Sequence, residues 1–534
     1  MEKLKLNYKR TIFVGLAFCL ISLFWQAYDS IIPKILTDKF GMSQFWSGVI
    51  MAFDNIIALF LLPLFGSISD KAKFKKGRRT PFIIVGTIIA AAALVSLSFV
   101  DAAQLRKLEP ISAVTDSDSE GYKEAMSELY NSDVQFVIDG EKVTLADKFT
   151  EEEFVGFADK CREGFDKDID TEHKGYMSFV VDYVTPARQA YAANAVSSAP
   201  SALITFVAIL LIALLSMAIF RSPAVALMPD VTPKPLRSKG NAIINLMGVV
   251  GGVIVLVLGM VFGTGEPQKS LMSYIIFFSI IAVLMIGALI TFLCTVNEPK
   301  LVKKMREESA LLGINEDEDG NDGADKDKKS GKLSRAEFKS LIFILLSVVF
   351  WFMGYNAITS KYSVYAGAVL QLDYNKTLLL AQASALIAFI PVGMLATKIG
   401  RKRSILIGVA CLTSAVFIGS FFEAGVNIWL VNVVFMLAGL GWATINVNSY
   451  PMVVELASHG NVGKYTGFYY TASMSAQTLT PMLSGFFLDT YGMRTLFPYA
   501  TICVGISFIT MLFVMHGDSK PVANKPSLES LDVD

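Results

Sequence analysis

The sequence predicts an all-α polytopic membrane protein, in which twelve transmembrane helices form two six-helix pseudo-symmetric bundles with a small extracytoplasmic insert. Of 534 residues, 53% are hydrophobic and 18% are charged, whereas an average soluble domain has about 25% charged residues. Twelve segments are apolar over the ~20 residues that a helix needs to cross a bilayer. A basic loop follows the second segment of each half, which indicates an internal repeat. The segments are residues 11–33, 45–66, 81–100, 199–220, 241–263, 271–296, 341–370, 377–397, 404–422, 427–450, 465–488 and 495–516.

These segments divide the chain into bundles, an insert and polar connections. The stretch NEDEDGNDGADKDKKSGK is highly charged and has no aromatic residue, so it predicts a disordered linker between the halves. The insert is about the size of a small domain. We expect spans one to three in residues 1–100, the extracytoplasmic insert in 101–198, spans four to six in 199–296, a cytoplasmic linker in 297–338, spans seven to twelve in 339–518 and a disordered cytoplasmic tail in 519–534.

The Lys and Arg residues of the short loops predict the orientation, because such residues are concentrated on the cytoplasmic side. They cluster in alternate loops, beginning with the N-terminal segment. Both termini are therefore expected in the cytoplasm, in a multi-pass protein of the cell membrane. Arg221 counts among these cytoplasmic bases, just after the predicted fourth span. The first apolar run is too long for a cleaved signal peptide and is interpreted as the first span.

The insert carries two local signals of a folded unit. Within VQFVIDGEKVTL, an Asp139-Gly140 pair between alternating apolar residues predicts a β-hairpin. Thr150 and Glu153 form a capping box that begins a helix. The insert is interpreted as a solvated decoration or, alternatively, as a lid or partner-docking module over the outer entrance. The predicted apolar face of its helix carries Phe154, Phe157 and Cys161.

Composition argues against several classes of function. The formal net charge is zero, so nucleic acid is not an expected partner. The five cysteines are scattered and the three histidines lie far apart, so we expect neither a disulfide framework nor a metal site. The sequence has no cofactor motif, no phosphate-binding loop and no nucleophile–base set, so we do not expect an enzyme.

The loop between the second and third spans is the most distinctive stretch of the chain. Residues 62–86, LPLFGSISDKAKFKKGRRTPFIIVG, carry Asp70 followed by six bases. Residues 390–408, IPVGMLATKIGRKRSILIG, repeat the pattern more weakly in the second half. A related loop at the same place in two sets of six spans predicts a duplicated architecture.

This loop resembles the hallmark inter-span motif of the major facilitator superfamily, Gly-x-x-x-Asp-(Arg/Lys)-x-Gly-Arg-(Arg/Lys). The spacer between the acid and the second glycine is four residues longer here than in the motif. The longer spacer, followed by ArgArgThrProPhe, resembles the sucrose-transporter branch and the bacterial glycoside–pentoside–hexuronide cation symporters, as does the stretch in residues 222–243. The motif is filled by Gly66, Asp70, Lys71, Gly77, Arg78 and Arg79, and the second copy has Gly393, Gly400, Arg401 and Lys402, with Thr397 in place of the acid.

The resemblance implies a gating role for the basic loop, in which Asp70 with Arg78 and Arg79 latches the outward-open state. Arg401 is the corresponding candidate in the second half. An aspartate at the end of a span can accept hydrogen bonds from Arg and from the amino end of a neighbouring helix. We expect such a cluster only when the two halves close together on the cytoplasmic side. Alternatively, the bases only fix the orientation of the loop.

Ionisable residues within the spans are functional candidates because a charge is costly at membrane depth. Asp54 lies near the middle of span two and is the favoured proton-coupling residue. Asp29 and Lys361 lie toward the outer ends of spans one and seven, which the resemblance implies face each other. They are a candidate outer gate pair, and Asp29 is a second coupling candidate. Alternatively, both reach water at the interface, and Asp54 is a structural partner of Asn55. Protons are favoured over sodium because the acid-rich pattern of melibiose-type symporters is not reproduced.

Uncharged polar and aromatic residues within the spans form the candidate substrate site. Amides both donate and accept hydrogen bonds, which matches the hydroxyls of a sugar, and aromatic rings can stack on a pyranose face. Alternatively, such amides join transmembrane helices and the aromatic residues fill the core. The candidates are Gln26, Tyr355, Asn356, Trp442, Asn446, Asn448 and Gln477.

The combined expectation is a secondary active transporter that carries a small-molecule substrate, a sugar or glycoside, by proton-coupled symport and alternating access. We expect a monomer in the lipid bilayer that needs no cofactor. One alternative is a proton-coupled exporter of drugs or metabolites, although span five lacks the proline of the exporter motif. Another is a nutrient sensor that binds its ligand with the outer insert.

Overall fold

The computed structural model describes residues 6–138, 141–159, 175–233, 236–311, 334–454, 456 and 462–516. Twelve long helices occur in this part of the chain, and each overlaps one predicted span. We number them α1 to α12 in chain order. They are α1 (Tyr8–Lys34), α2 (Gln44–Lys71), α3 (Thr80–Lys107), α4 (Ser201–Val231), α5 (Arg237–Phe262), α6 (Ile275–Thr295), α7 (Arg335–Tyr365), α8 (Tyr374–Ile399), α9 (Arg401–Gly419), α10 (Ile428–Val454), α11 (Val462–Tyr491) and α12 (Leu496–Leu512).

Ten of these helices are long and apolar enough to cross a membrane, whereas α8 and α11 do not meet that criterion over their described residues. The prediction of an all-α polytopic membrane protein is therefore confirmed. A π-helical turn prolongs α1 through Lys39, and another prolongs α7 through Leu370.

Helix α4 is longer than the sequence predicted. The predicted span ends at residue 220, but the helix continues to Val231 because apolar residues recur through its last turns. Arg221 therefore lies inside a transmembrane helix, and its assignment to a cytoplasmic loop is wrong. Asp230 lies in the last turn of the same helix, at the level of the basic loop.

Each half of the chain has a hydrophobic core of its own. Buried side chains of α1 to α6 form one cluster, and those of α7 to α12 form a second. The halves meet where α2 packs on α11, α1 on α7 and α5 on α8. The duplication read from the sequence thus corresponds to two separately packed helical units joined along three pairs of helices.

The two ends of the bundle differ in how the halves meet. We call the end that carries the insert the insert face, and the end that carries residues 72–79 the basic-loop face. At the insert face, Asn375 Nδ2 of α8 donates to Thr264 Oγ1, which follows α5, over 3.2 Å. Deeper in the bundle, Gln382 Nε2 of α8 donates to Gln26 Oε1 of α1 over 2.7 Å. Between described residues, the hydrogen bonds that join the halves lie in the part of the bundle nearer the insert face.

The most extensive contact between the halves is the packing of α2 on α11. A Cβ atom on Gly48 would collide with the carbonyl oxygen of Pro481. A Cβ atom on Gly485 would collide with the carbonyl oxygen of Gln44. The two backbones therefore touch directly, and only glycine permits this crossing. We call this contact the seam.

The insert folds as predicted in its described part. Strands Phe136–Ile138 and Glu141–Val143 pair in antiparallel register, and the turn residues between them lie outside the described residues. In the capping box, Glu153 N donates to Thr150 Oγ1 over 3.3 Å and Thr150 N donates to Glu153 Oε2 over 3.0 Å. The helix that follows is short, Glu151–Val155. Its Phe154 belongs to the core of the insert and Phe157 packs against that core, whereas Cys161 lies outside the described residues.

The insert is attached to both halves of the protein at the insert face. Arg188 Nη2 lies 3.1 Å from Asp38 Oδ1 at the end of α1, and both side chains are buried. Arg188 Nη1 also donates to Ser270 Oγ in the loop between α5 and α6. In the other half, Arg494 Nη2 lies 3.5 Å from Asp182 of the insert in an exposed contact.

The linker between the halves begins with a helix. Residues Glu298–Leu311 form an amphipathic helix, which we call the linker helix, at the start of the predicted linker 297–338. The stretch predicted to be disordered, NEDEDGNDGADKDKKSGK, lies outside the described residues. Leu301 and Val302 of the linker helix pack against the core of the first half, which gives this polar helix a reason to fold. Helix α7 already begins at Arg335, where Ser334 caps it. Residues 312–333 and the predicted tail lie outside the described residues.

Candidate functional site

A polar cavity of about 200 Å³ lies between the two halves, beneath the seam. It contains the carboxylates of Asp29 and Asp54, predicted from the sequence as coupling residues. Its polar wall is supplied by both halves, as alternating access requires. The first half contributes Trp25, Asp29, Met51, Asp54, Asn55 and Arg221, and the second contributes Asn356, Thr359, Ser360, Gln477 and Pro481.

The two carboxylates enter the cavity from different helices. Asp29 of α1 is open to the cavity although protein encloses it on all sides, and its charge acts on that of Asp54. Asp54 of α2 is half-buried, and its Oδ1 accepts a hydrogen bond from Asn55 Nδ2 over 2.8 Å. The contact with Asn55 corresponds to the alternative, structural reading of Asp54, and it coexists with a position on the cavity wall.

Arg221 brings a cation to the same cavity. Its guanidinium makes no hydrogen bond and no ion pair within 4 Å with any described residue, and it lies 5.6 Å from the centre of the Trp25 ring. Its charge acts on both Asp54 and Asp29. Five N–H donors at membrane depth without a close partner are costly. The cavity therefore holds two carboxylates and one guanidinium that is free to bind a ligand or either acid.

Arg221 was not predicted as a site residue because the fourth span was predicted to end at residue 220. The signal that could have found it is the apolar pattern beyond it, Ala224 to Met228, which continues the helix by another two turns. An arginine flanked by apolar turns on both sides lies within the membrane, where it is a functional candidate by default.

Two of the seven predicted substrate residues line the cavity. Asn356 donates its Nδ2 to the Phe352 carbonyl oxygen over 2.7 Å, which leaves the amide oxygen for another partner. The amide of Gln477 has no hydrogen-bond partner among the described residues. Thr359 and Ser360, on the same helix as Asn356, add hydroxyls that the sequence did not single out.

The other five predicted substrate residues do not line the cavity. Gln26 donates to Ser30 Oγ over 2.9 Å and accepts from Gln382, so it joins the halves. The rings of Tyr355 and Trp442 stack on each other at 3.5 Å. Asn448 is buried and donates to the Thr444 carbonyl oxygen of its own helix, and Asn446 lies on that helix away from the cavity wall. Gln26 therefore joins helices and Trp442 packs against the core of the second half, as the alternative interpretation describes.

The predicted ion pair between Asp29 and Lys361 is not formed. Lys361 is fully buried, and its Nζ donates to the carbonyl oxygen of Gln44, 2.6 Å away. One residue turns a helix by about 100°, so Lys361 points toward α2 while the preceding Ser360 faces the cavity. The prediction placed Lys361 at the correct end of the molecule and gave it the wrong partner.

Asp489 completes the seam from the carboxyl end of α11. Its Oδ1 accepts from Gln44 N over 2.7 Å, and its Oδ2 accepts from Phe45 N over 2.8 Å. A carboxylate at the amino end of a helix satisfies donors that have no partner within the helix and faces the positive end of its dipole. Here the helix belongs to one half and the carboxylate to the other.

The basic loop forms a second cluster of charges, at the opposite end of the molecule. Arg79 Nε lies 2.8 Å from Asp230 Oδ2, and the same guanidinium also contacts Asp70 and Ser69. Arg78 Nη2 lies 2.6 Å from Asp230 Oδ1. Burial disfavours the charged guanidinium of Arg79, but Asp230 and Asp70 outweigh this effect and hold its pKa above the usual value.

Glu298 binds the amino end of α3 from the linker helix. It is buried, and its carboxylate accepts from the backbone N–H groups of Arg78, Arg79 and Thr80 over 2.8 to 3.1 Å and from the Thr80 hydroxyl over 2.7 Å. Gly77 precedes this turn with φ +106°, and a Cβ atom there would collide with Glu298. Glu298 was not predicted as a functional residue because it falls in the polar linker, where no span or motif marks it.

The basic cluster does not require the two halves to meet. Asp70, Arg78, Arg79, Asp230 and Glu298 all belong to the first half or to the linker helix packed on it. The expectation that such a cluster exists only when the halves close together is therefore wrong for these residues. Arg401 begins α9 at the same face, and the side chain of Thr397 lies outside the described residues.

Three comparisons with known proteins bear on the fold. The sequence profile of the Major Facilitator Superfamily matches residues 2–106, 186–412 and 377–532. No curated protein sequence matches the chain. Similar solved structures include a point mutant of the nucleoside transporter NupG, with TM-score 0.56, 11% identity and coverage of 95% of this chain and 100% of that one.

Two xylose carriers are similar to the same extent. The inward-open xylose transporter XylE from E. coli has TM-score 0.55, 14% identity and coverage of 97% and 98%. A D-xylose-proton symporter has TM-score 0.54, 12% identity and coverage of 96% and 99%. At such identities the likeness is one of fold.

Among the described residues, no group of three or more His, Cys, Asp or Glu side chains could hold a metal ion.

Proposed function

Because the chain belongs to the Major Facilitator Superfamily, we propose that this multi-pass membrane transporter carries a sugar or glycoside together with protons, by alternating access. The observation that carries the proposal is the cavity between the halves, in which Asp29 and Asp54 face the unpaired Arg221. The resemblance to the sucrose-transporter and glycoside–pentoside–hexuronide branch, which rests on the long spacer of the basic loop, supports the sugar class.

Charge counting in the cavity explains why a proton is the proposed coupling ion. Two ionised carboxylates and one guanidinium give −2 + 1 = −1. Moving one net charge through the membrane field changes the free energy by about 2.3 kcal/mol per 100 mV. Binding of one proton to Asp29 or Asp54 makes the cavity neutral, and Arg221 then balances the remaining carboxylate. We propose that the protonated, loaded cavity is the form that reorients.

The lining of the cavity supports a small, hydroxyl-rich substrate. The amides of Asn55, Asn356 and Gln477 and the hydroxyls of Thr359 and Ser360 offer both donors and acceptors. The cavity has a volume of about 200 Å³. This volume favours a monosaccharide unit over a longer chain. The xylose carriers of the same fold are consistent with that class.

The seam at the insert face is the proposed outer gate. The bias of Lys and Arg in the loops supports cytoplasmic termini, so the insert face would be extracytoplasmic and the observed arrangement inward-facing. We propose that Asp489 and Lys361 release Gln44 when the gate opens. The proposed role of Asp70, Arg78, Arg79 and Arg401 is to gate the opposite end.

Uptake into proteoliposomes tests the proposal. The purified full-length protein is reconstituted, an inward proton gradient is imposed, and accumulation of labelled pentoses and hexoses is measured. We expect accumulation above equilibrium that a protonophore abolishes. Accumulation that is insensitive to the protonophore would overturn proton coupling, and absence of binding and uptake across the panel would overturn the sugar class.

Matched variants then assign the coupling groups. Asp29→Asn and Asp54→Asn each remove one titratable carboxylate from the cavity. We expect at least one of them to retain exchange of substrate but lose proton-driven accumulation, because exchange needs no net proton movement. Asp133→Asn, which removes an exposed carboxylate of the insert outside the cavity, serves as the control. Full accumulation by both acid variants would contradict the assignment.

A further inference from the structure

Four lysines of the basic loop take no part in the charge clusters described above. Lys71, Lys73, Lys75 and Lys76 are exposed, and none forms an ion pair with a described residue. The acids nearby are already engaged, because Asp70 and Asp230 bind Arg79 and Glu298 binds the amino end of α3. The ammonium groups are therefore not neutralised by the protein itself.

The loop presents these lysines on a fixed backbone. Helix α2 ends at Lys71, and Gly77 N donates to the Phe74 carbonyl oxygen over 3.1 Å, which closes a tight turn. Glu298 stabilises this turn by accepting hydrogen bonds from the backbone N–H groups of the two residues that follow Gly77. A backbone that is already fixed before binding loses little conformational entropy when an anion binds, which favours binding.

Phe74 places the loop at the edge of the lipid-facing surface. Its ring is 54% exposed and packs against the ring of Phe82 in the first turn of α3, with 6.2 Å between the ring centres. Along α3, the side chains of Val85, Ile88 and Phe99 are also exposed. On a transmembrane helix of this apolarity, exposed apolar side chains contact lipid. An aromatic residue between lysines at the end of that surface lies at the level of the headgroups.

We propose that the basic loop binds the headgroups of anionic phospholipids in the leaflet that it faces. The lysines around Phe74 would contact the phosphate oxygens while the Phe74 ring enters the boundary between headgroups and acyl chains. Because Arg79 ties this loop to the ends of α2 and α4, bound lipid would hold the first half in the membrane while the second half moves. This surface is independent of the cargo, so the inference does not depend on the sugar class.

Lipid titration of the full-length protein tests this surface. The protein in a neutral detergent is titrated with short-chain phosphatidylglycerol and, separately, with short-chain phosphatidylcholine, and binding is followed by the shift in thermal unfolding. We expect phosphatidylglycerol to raise the unfolding temperature and phosphatidylcholine to have little effect. The double variant Lys73→Gln/Lys75→Gln should weaken phosphatidylglycerol binding about 25-fold, from roughly fivefold per lysine near an anionic surface.

A charge-matched control separates this site from a general effect of net charge. Lys142→Gln/Lys148→Gln changes the charge equally in the exposed part of the insert and should bind phosphatidylglycerol as the wild type does. Equal weakening in both double variants, or unchanged affinity in Lys73→Gln/Lys75→Gln, would overturn the proposal. So would a stabilisation by inorganic phosphate as large as that by the lipid, because the site would then bind free anions and Phe74 would have no role.

Discussion

The two faces of this transporter use the same local chemistry for opposite purposes. At the insert face, the carboxylate of Asp489 binds the amino end of α2 across the two halves. At the basic-loop face, the carboxylate of Glu298 binds the amino end of α3 within one half. The comparison shows that a capped helix end can stabilise one half, as at α3, or join the two halves, as at α2. Only the second kind of contact could serve as the proposed gate.

The two capping carboxylates also differ in the number of hydrogen bonds that they accept. Glu298 is almost fully buried and accepts four donors, which suits a contact that is never broken. Asp489 accepts two. Hydrogen bonds to a charged group contribute about 1.5–3 kcal/mol each when both partners are buried. Fewer such bonds at the seam lower the energy needed to separate the halves there, as the proposed outer gate requires.

The largest expected effect on stability comes from Glu298→Ala, which removes the carboxylate that caps the amino end of α3. Three backbone N–H groups and the Thr80 hydroxyl lose a buried acceptor, so we expect a loss of about 3–5 kcal/mol in the free energy of unfolding. Thermal and denaturant unfolding in detergent measure it. Glu307→Ala, at an exposed position of the same linker helix, is the control and should change stability little. Equal stability of the two variants would refute the structural role of Glu298.

The next largest effect is expected at the seam, from Gly485→Ala. The added methyl group meets the Gln44 carbonyl oxygen, and overpacking of this kind costs about 1–3 kcal/mol in the closed form. We expect a folded protein whose insert face stays open and whose uptake is lost. Labelling of a cysteine introduced at Ser360 by an impermeant maleimide, added from the insert side, reports the opening. Gly467→Ala, in the same helix but with no atom nearby, should leave labelling and uptake unchanged.

Asp489→Ala should shift the same equilibrium by less. The amino end of α2 loses its acceptor in the closed form but is hydrated in the open form, so we expect a shift of about 1 kcal/mol, or roughly fivefold. The labelling assay at Ser360 measures it. A double variant with Lys361→Met tests whether Lys361, which binds the carbonyl of Gln44, belongs to the same gate. Additive effects of the two substitutions would contradict a shared gate.

The smallest effect on stability is expected for Asp70→Asn. Its carboxylate is 57% exposed and pairs with Arg79 within one half, so we expect a change of less than about 1 kcal/mol in the free energy of unfolding. Uptake is expected to fall nonetheless, because the proposed latch acts in the conformation that closes the basic-loop face. Uptake at the wild-type rate, with the protein correctly inserted, would remove the latch from the mechanism.

The sequence was sufficient for the fold and for the acids of the cavity. Span length and apolarity identify a helix almost without regard to its neighbours, because a bilayer imposes that length. Asp29 and Asp54 stand out for the same reason, since an acid in an apolar run is costly wherever the run packs. The hairpin and the capping box of the insert were also predictable, because both depend on residues close together in the chain.

Partners distant in the chain were not predictable. Lys361 binds a backbone carbonyl, Gln44 O, and no residue type marks that acceptor in a sequence. Gln26 and Gln382 satisfy each other across the halves, so an amide that looked available for a sugar is already used. Arg221 was not predicted for a different reason. The extent of α4 was judged from apolarity alone, so the arginine that follows residue 220 was taken to mark the end of the span.

The position of the linker helix has a consequence for how the protein can be assembled. Glu298 fixes the start of the connection to the first half, and Ser334 caps α7 with Glu337 at the start of the second, through contacts of 2.9 and 3.2 Å. Each half therefore carries the residues that complete its own ends. We expect two polypeptides, residues 1–311 and 334–534, to associate into a working carrier when they are made in the same cell.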